Sequence, residues 1–86
     1  INAANDTIFI ADPDSGALIE TNQKAQELID RPIDELHDMQ LSDLYPADEQ
    51  DYYMTLFRQH VYEEQPITEN LHVEDRHGNR IPVDVS

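Results

Sequence analysis

Residues 69–86 have the sequence ENLHVEDRHGNRIPVDVS, and this stretch decides how the rest of the chain must fold. Apolar residues alternate with polar ones on both sides of a polar tip at 75–79, and they are Leu71, Val73, Ile81, Val83 and Val85. A period of two is typical of a half-buried strand, and residues 77–79 tolerate the positive φ that a chain reversal needs. The stretch therefore predicts a β-hairpin with one apolar face. Because a two-stranded ribbon is marginal alone in water, other elements must cover that face.

A second hairpin is predicted near the start of the chain. Residues 7–11 and 18–21 are short runs rich in apolar side chains, and the stretch DPDSG at 12–16 separates them. Asp, Pro, Ser and Gly are the residues that turns favour, so the chain is expected to reverse there. Residues 1–5 carry no pattern and are interpreted as the end of a linker or of a preceding helix.

Short helices are predicted in the middle of the chain. Asn22 precedes apolar residues at helical spacing, so it is the expected N-cap of a first helix, and Pro32 ends that helix. Residues 33–36 are predicted to form another short helix, with acidic side chains in its first turn where the helix dipole favours them. Residues 41–44 can form one further turn.

The longest helix is predicted to begin at 47–49 and to reach Tyr62, and Pro66 ends the helical middle of the chain. Residues three and four apart share one face of a helix, and they predict a single apolar stripe. The stripe consists of Tyr52, Tyr53, Leu56, Phe57, His60 and Val61. Strands, then helices, then strands predict the α+β class, with the helices gathered on one face of an antiparallel sheet.

The composition limits the functions that this chain can have. Its 86 residues suffice for one small domain, and 19 acidic residues against 5 basic ones give a net charge of -14. Binding to nucleic acid or to an anionic membrane relies on clustered Lys and Arg, so neither is predicted. A surface this acidic is also expected of a protein that works in high salt. The acidic composition fits both a protein from a halophilic source and an acidic domain from a mesophile.

The absence of cysteine from the sequence excludes several kinds of chemistry. A disulfide framework, a thiol nucleophile and a cysteinyl-flavin adduct all need that residue. No apolar run approaches the ~20 residues of a membrane helix and no signal segment opens the chain, so a cytoplasmic location is expected. No catalytic signature is recognisable, and the acidic turn at 12–16 lacks the glutamate that a calcium loop requires. Neither catalysis nor a metal site is predicted.

The order and spacing of these segments resemble a PAS domain, the sensory module of histidine kinases, diguanylate cyclases and other signalling proteins. The resemblance covers nearly the whole chain and rests on the stretches 12–25, 33–36, 41–46 and 75–86. The stretch 12–25 combines the turn at 12–16 with the sequence LIETN at 18–22 and with Ala25, three residues beyond Asn22. IDEL at 33–36 is similar to the "speEL" helix of the family, and LSDLYP precedes the long helix. The closing hairpin resembles the "rrkDGsxipveVs" end of a PAS domain.

The chain departs from the PAS pattern in two respects. Arg31 and Asp38 stand where the family commonly has glycine, on either side of the short helix. A PAS sheet has five antiparallel strands, and this sequence supplies four. The fifth would lie at the centre, between the first strand and the last, so residues 1–86 are expected to be a single PAS domain truncated at its C-terminal end. Pro82 lies within a predicted strand, at a place where the family tolerates proline, and a local irregularity is expected there because proline cannot donate to a ladder.

The resemblance implies ligand sensing, dimerisation or both. It implies a larger signal-transduction protein, for example a histidine kinase of a two-component system, with the output domain in the same polypeptide. The pocket of a PAS domain holds haem, flavin, a small metabolite or nothing. The candidates for lining it in this chain are Tyr45, Tyr52, Tyr53, Phe57 and His60. The same residues can instead be ordinary core residues, or tyrosines that bury the ring and expose the hydroxyl group to solvent.

His60 is the candidate axial ligand if the pocket holds haem, because it lies on the apolar stripe of the long helix. A histidine in the last turn of a helix is also favoured by the dipole and can satisfy terminal carbonyls, and this interpretation is preferred. Haem is therefore not expected. The pocket is expected to hold a small metabolite or to hold no ligand. Two functions stay open: a sensory module that regulates an output domain, and a structural dimerisation module whose interior is filled by its own side chains.

Overall fold

The computed structural model of the chain describes residues 7–68 and 70–83. Its elements follow the predicted order and confirm the α+β class. They are β1 (Phe9–Ala11), β2 (Leu18–Thr21), α1 (Gln23–Ile29), α2 (Ile33–Leu36), a 3-10 turn (Leu41–Leu44), α3 (Gln50–Tyr62), β3 (Leu71–Glu74) and β4 (Arg80–Val83).

Antiparallel hairpins open and close the described part of the chain. β1 pairs with β2 in one two-stranded sheet, and β3 pairs with β4 in another. Within the described residues no ladder hydrogen bonds join the two sheets.

One apolar core holds both hairpins against the helices. The buried side chains come from strands and helices alike, and they include Leu18, Ile29, Leu36, Leu44, Tyr53 and Leu71. Burial of apolar surface is the main favourable contribution to folding, at about 25 cal/mol per Å². The helices therefore cover the inner faces of both hairpins, as predicted.

Asn22 fixes the start of α1, as predicted from its position after β2. Its Oδ1 accepts hydrogen bonds from the backbone amides of Ala25, at 3.0 Å, and of Ile8, at 3.1 Å. At the other end of the helix, Asp30 takes a left-handed conformation with φ of 55°. Aspartate tolerates this conformation better than most residues, so the turn into α2 forms without glycine.

α3 differs from the prediction at its start and in its buried face. It begins at Gln50, because residues 47–49 form a turn in which the Glu49 amide donates to the Pro46 carbonyl at 2.9 Å. Tyr53 is buried whereas Tyr52 is exposed. The buried residues of the helix are Tyr53 and Met54, so the face that packs on the core is rotated away from Tyr52 and towards Met54. The predicted stripe wrongly included Tyr52 and Val61 and missed Met54.

The irregularity expected at Pro82 is absent from the described part of the closing hairpin. His72 pairs with Pro82 in an unbroken register that runs from Leu71 with Val83 to Glu74 with Arg80. In the described residues β4 pairs with β3 alone, and this ladder accommodates Pro82 without a shift in register. The bulge lies instead in the first hairpin, next to Ile19.

Candidate functional site

Tyr45 and Tyr53 meet inside the core. Tyr45 directly follows the 3-10 turn, Tyr53 lies near the start of α3, and both are buried. Their ring centroids are 5.0 Å apart, and the ring planes are nearly perpendicular, at 89°. Edge-to-face pairs of this kind contribute about 0.5–1.5 kcal/mol beyond their buried area. The pair holds the 3-10 turn against α3.

The hydroxyl groups of these two tyrosines stay protonated at neutral pH. Burial, together with the neighbouring phenol of Tyr53, raises the pKa of Tyr45 to about 12. Burial also raises the pKa of Tyr53, and a hydrogen bond with the Glu49 carboxylate adds to this rise. Both hydroxyl groups therefore stay neutral, and that of Tyr53 already has the Glu49 carboxylate as a hydrogen-bond partner.

The other predicted pocket residues lie further out. Phe57 is half-buried and packs against the core, whereas Tyr52 is exposed, with its ring centroid 6.1 Å from that of Tyr53. His60 Nδ1 lies 2.9 Å from the carbonyl oxygen of Gln65, just beyond the end of α3. Thus the structure brings Tyr45, Tyr53 and Phe57 to the core, and it places His60 in a contact with a carbonyl near the helix end.

Thr21 is an interior polar residue that the sequence analysis missed. It is 8% exposed, and its Oγ1 has no hydrogen-bond partner among the described residues. The register of the first hairpin shifts between Ile10 and Ala11, so Ile19 has no cross-strand partner. This bulge turns Thr21 inward together with Leu18, whereas strict alternation would point the two side chains to opposite faces. A single sequence does not reveal such a bulge.

The outer side of the first hairpin exposes two isoleucines next to the exposed Glu20, which pairs with Ile10. Ile10 and Ile19 are 44% and 59% exposed, although they belong to strands whose other side packs on the core. We call Ile10 and Ile19 together the outer sheet patch. Exposed apolar side chains that lie together commonly mark an interaction surface.

The acidic turn between β1 and β2 uses its oxygens for its own structure. Asp12 Oδ1 accepts hydrogen bonds from the amides of Asp14, at 2.8 Å, and Ser15, at 3.3 Å. In residues 7–68 and 70–83, no group of three or more His, Asp or Glu side chains is placed to hold a metal ion. In the same ranges, none of the helices has the length and apolarity that crossing a bilayer demands.

The fold and these surfaces define a class: a small α+β domain whose helices close over antiparallel hairpins, with an apolar patch on the outer side of one hairpin. The sequence model of the PAS fold matches residues 1–86. The chain therefore belongs to the PAS family, which confirms the resemblance predicted above. Membership implies a sensory or interaction module, and PAS domains are in general not catalytic. Comparison with curated proteins and with solved structures found no match.

Proposed function

We propose that this chain is the PAS sensory module of a larger signal-transduction protein. It forms a homodimer through the outer sheet patch, and it regulates an output domain in the same polypeptide. Residues 1–86 belong to one domain, whose sheet is completed by a further strand between β1 and β4. In the described residues each hairpin is a separate two-stranded sheet, so β1 and β4, like β2 and β3, have an edge at which a further strand can pair.

The observation that carries the proposal is the exposure of Ile10 and Ile19 on the outer side of β1 and β2. These two isoleucine side chains stay exposed to water, so they do not contribute the favourable free energy that burial gives the side chains of the inner face. A second copy of the same patch would remove both isoleucines from water on each chain, in a symmetric, self-complementary contact. In such a dimer the outer sides of the two β1–β2 hairpins would face each other.

The charge of the chain opposes this contact in a way that can be measured. Each copy carries a net charge of -14, so two copies repel each other at low ionic strength. Salt screens this repulsion beyond a Debye length of about 8 Å at physiological ionic strength. The dimer is therefore expected to tighten as salt is added.

One buried side chain favours a small ligand with a polar group. Thr21 Oγ1 is buried without a partner among the described residues, and a buried polar group of this kind favours any occupant that pairs with it. A metabolite that accepts or donates a hydrogen bond satisfies this requirement. A ligand seated there would contact the inner side of β2, and the outer sheet patch is the other side of the same hairpin. Binding would bias how the two copies pack and so pass the signal onward.

A second candidate function is a structural dimerisation module with no ligand. The edge-to-face packing of Tyr45 on Tyr53 favours it, because these rings fill interior space that a ligand would otherwise use. Both candidates predict a dimer, and they differ in whether a small molecule is retained.

Native mass spectrometry of the intact protein, with an absorption spectrum of the same sample, tests the proposal. The expected result is a dimer that carries an added small-molecule mass. A dimer without added mass supports the structural module instead. A monomer at every concentration would reject dimerisation in both.

A further inference from the structure

A polar pocket of about 230 Å³ lies between the β1–β2 turn, the 3-10 turn and α3. We propose that it binds a small zwitterion, a molecule that carries both a carboxylate and an ammonium group. We call it the turn pocket, and six of its lining residues carry the argument: Ser15, Gly16, Gln40, Asp51, Met54 and Arg58. It is separate from the Tyr45–Tyr53 interior.

Backbone hydrogen bonds hold one wall of the turn pocket in place. The Leu41 amide donates to the Gly16 carbonyl at 2.8 Å, and Ala17 and Gln40 form an isolated antiparallel bridge. Gln40 Nε2 also donates to the Ser15 carbonyl at 3.4 Å. Because these contacts join the β1–β2 turn to the 3-10 turn, the wall is formed before any ligand arrives, which lowers the entropy cost of binding.

Gly16 and Met54 shape the bottom of the pocket. Gly16 has φ of +78°, which favours glycine, and a Cβ added there would lie 4.0 Å from both Met54 Cε and Gln40 Oε1. Met54 is buried and gives the pocket an apolar contact next to its polar walls. A small aliphatic segment between two charged groups fits such a surface.

Arg58 and Asp51 supply charges of opposite sign along the α3 wall. They are seven residues apart, which is about two turns of helix and places them on one side of α3. Arg58 forms no ion pair with any residue described in the structure. Each of the other three arginines does, and they are Arg31, Arg76 and Arg80. An arginine that faces a pocket without a carboxylate partner is suited to bind the carboxylate of a ligand.

The net charge of the chain selects a zwitterion over a simple anion. A chain with a net charge of -14 repels anions, whereas a molecule without net charge is not repelled over long distances. Asp51 offers a partner for the ammonium group of such a molecule, and Arg58 offers one for its carboxylate. The volume is below the roughly 300 Å³ at which sites for drug-sized molecules begin, so the ligand is a small metabolite.

The inference deepens the proposed sensory role by naming a ligand class and a second site for it, and its binding test does not depend on dimerisation. An occupant would bridge the β1–β2 turn to α3. The same turn is already linked to the end of that helix, because the Tyr62 hydroxyl donates to the Asp14 carboxylate. Binding would therefore stiffen the hairpin that carries the outer sheet patch.

Isothermal titration calorimetry of the intact protein tests the inference with molecules of known charge spacing. The probes are β-alanine, 4-aminobutyrate and 6-aminohexanoate, and butyrate and butylammonium serve as analogues with one charge. At least one ω-amino acid is expected to bind about tenfold more tightly than either single-charge analogue. Arg58→Gln and Asp51→Asn are each expected to weaken that binding about tenfold. Lys24→Gln and Glu20→Gln change the same charges at exposed sites outside the pocket, and they are expected to leave it unchanged.

Three results would overturn the inference. They are no heat of binding for any ω-amino acid at about 10 mM, equally tight binding of butyrate or butylammonium, and unchanged binding in both pocket variants. If a neutral variant loses its fold, Arg58→Lys and Asp51→Glu keep the charges and are expected to retain binding. A dimer that ignores the probes rejects only the turn pocket, whereas a monomer that binds them rejects only the dimer.

Discussion

The guanidinium group of Arg76, in the β3–β4 turn, forms an ion pair with the carboxylate of Glu35 on α2. Arg76 Nε also donates to the Asp30 carbonyl at 2.9 Å, and its backbone amide donates to the Ile29 carbonyl at 3.0 Å. Glu35 accepts a second ion pair from Arg31 at 2.6 Å. The tip of the closing hairpin is thereby attached to the junction of α1 and α2, which holds the hairpin against the core.

Arg76→Gln is expected to lower the free energy of unfolding by about 1 kcal/mol, since it removes one partly exposed ion pair and one hydrogen bond to a carbonyl. A double-mutant cycle with Glu35→Gln, measured by urea unfolding, should give a coupling energy of about 0.5 kcal/mol. Arg80→Gln is the matched control, because Arg80 pairs at 2.9 Å with the more exposed Asp48 and should cost less. A coupling energy of zero would show that the pair does not hold the hairpin.

Asn22→Ala is expected to lower the free energy of unfolding by about 1–2 kcal/mol. The side chain caps α1 and also accepts the Ile8 amide, so its loss leaves two backbone donors without this partner. Asn22→Asp keeps an oxygen at the same place and should retain most of the stability. Chemical denaturation of the three proteins measures the difference, and equal losses in both variants would contradict the capping role.

Asp75 is expected to make the hairpin turn sensitive to acid. The Asn79 side chain and the amides of Asn79 and His77 donate to its carboxylate and lower its pKa. Because the pKa in the folded state lies below that in the unfolded state, the stabilisation is complete above the unfolded pKa. It is lost as the pH falls through the folded pKa.

Asp75→Asn should therefore lower the melting temperature at neutral pH, and the gap to the unaltered protein should narrow at about pH 3. Thermal unfolding at neutral pH and at about pH 3 measures the difference in melting temperature between the two proteins at each pH. Asp38→Asn, an exposed change of the same kind, is the control. A gap of the same size at both pH values would rule out the carboxylate as its cause.

Tyr45 should be the origin of a late ionisation step in an alkaline titration. Its pKa is raised to about 12, so its buried neutral form stabilises the fold fully below the unfolded pKa. That stabilisation is lost as the pH rises through the folded value. Phenolate absorbance followed against pH, with circular dichroism to monitor the fold, should show a step that Tyr45→Phe removes and Tyr52→Phe leaves in place. Persistence of the step in Tyr45→Phe would assign it to another group.

Local signals in the sequence predicted the element order and the first helix cap. Asn22 before an apolar helical pattern, and turn residues at 12–16 and 75–79, act within a few residues, so a single sequence displays them. Tyr45 and Tyr53 were predicted as pocket residues from their place around the long helix. The structure adds that they pack against each other.

Contacts between distant residues could not be predicted in this way. Arg76 and Glu35 are 41 residues apart, and no local pattern marks them as partners. The bulge at Ile19 turns Thr21 inward against the alternation of the strand, because it depends on how β1 pairs with β2. The Arg58 wall of the turn pocket likewise depends on where the β1–β2 turn meets α3.

Sedimentation velocity of the intact protein with Ile10→Glu and Ile19→Glu tests the proposed dimer most directly. Val61→Glu is the matched control, because Val61 is 41% exposed and belongs to α3 and not to the outer sheet patch. The unaltered protein and Val61→Glu are predicted to sediment as dimers, and both isoleucine variants as monomers at the same concentration. Dimers in both isoleucine variants, or equal dissociation of Val61→Glu, would contradict the role of the outer sheet patch.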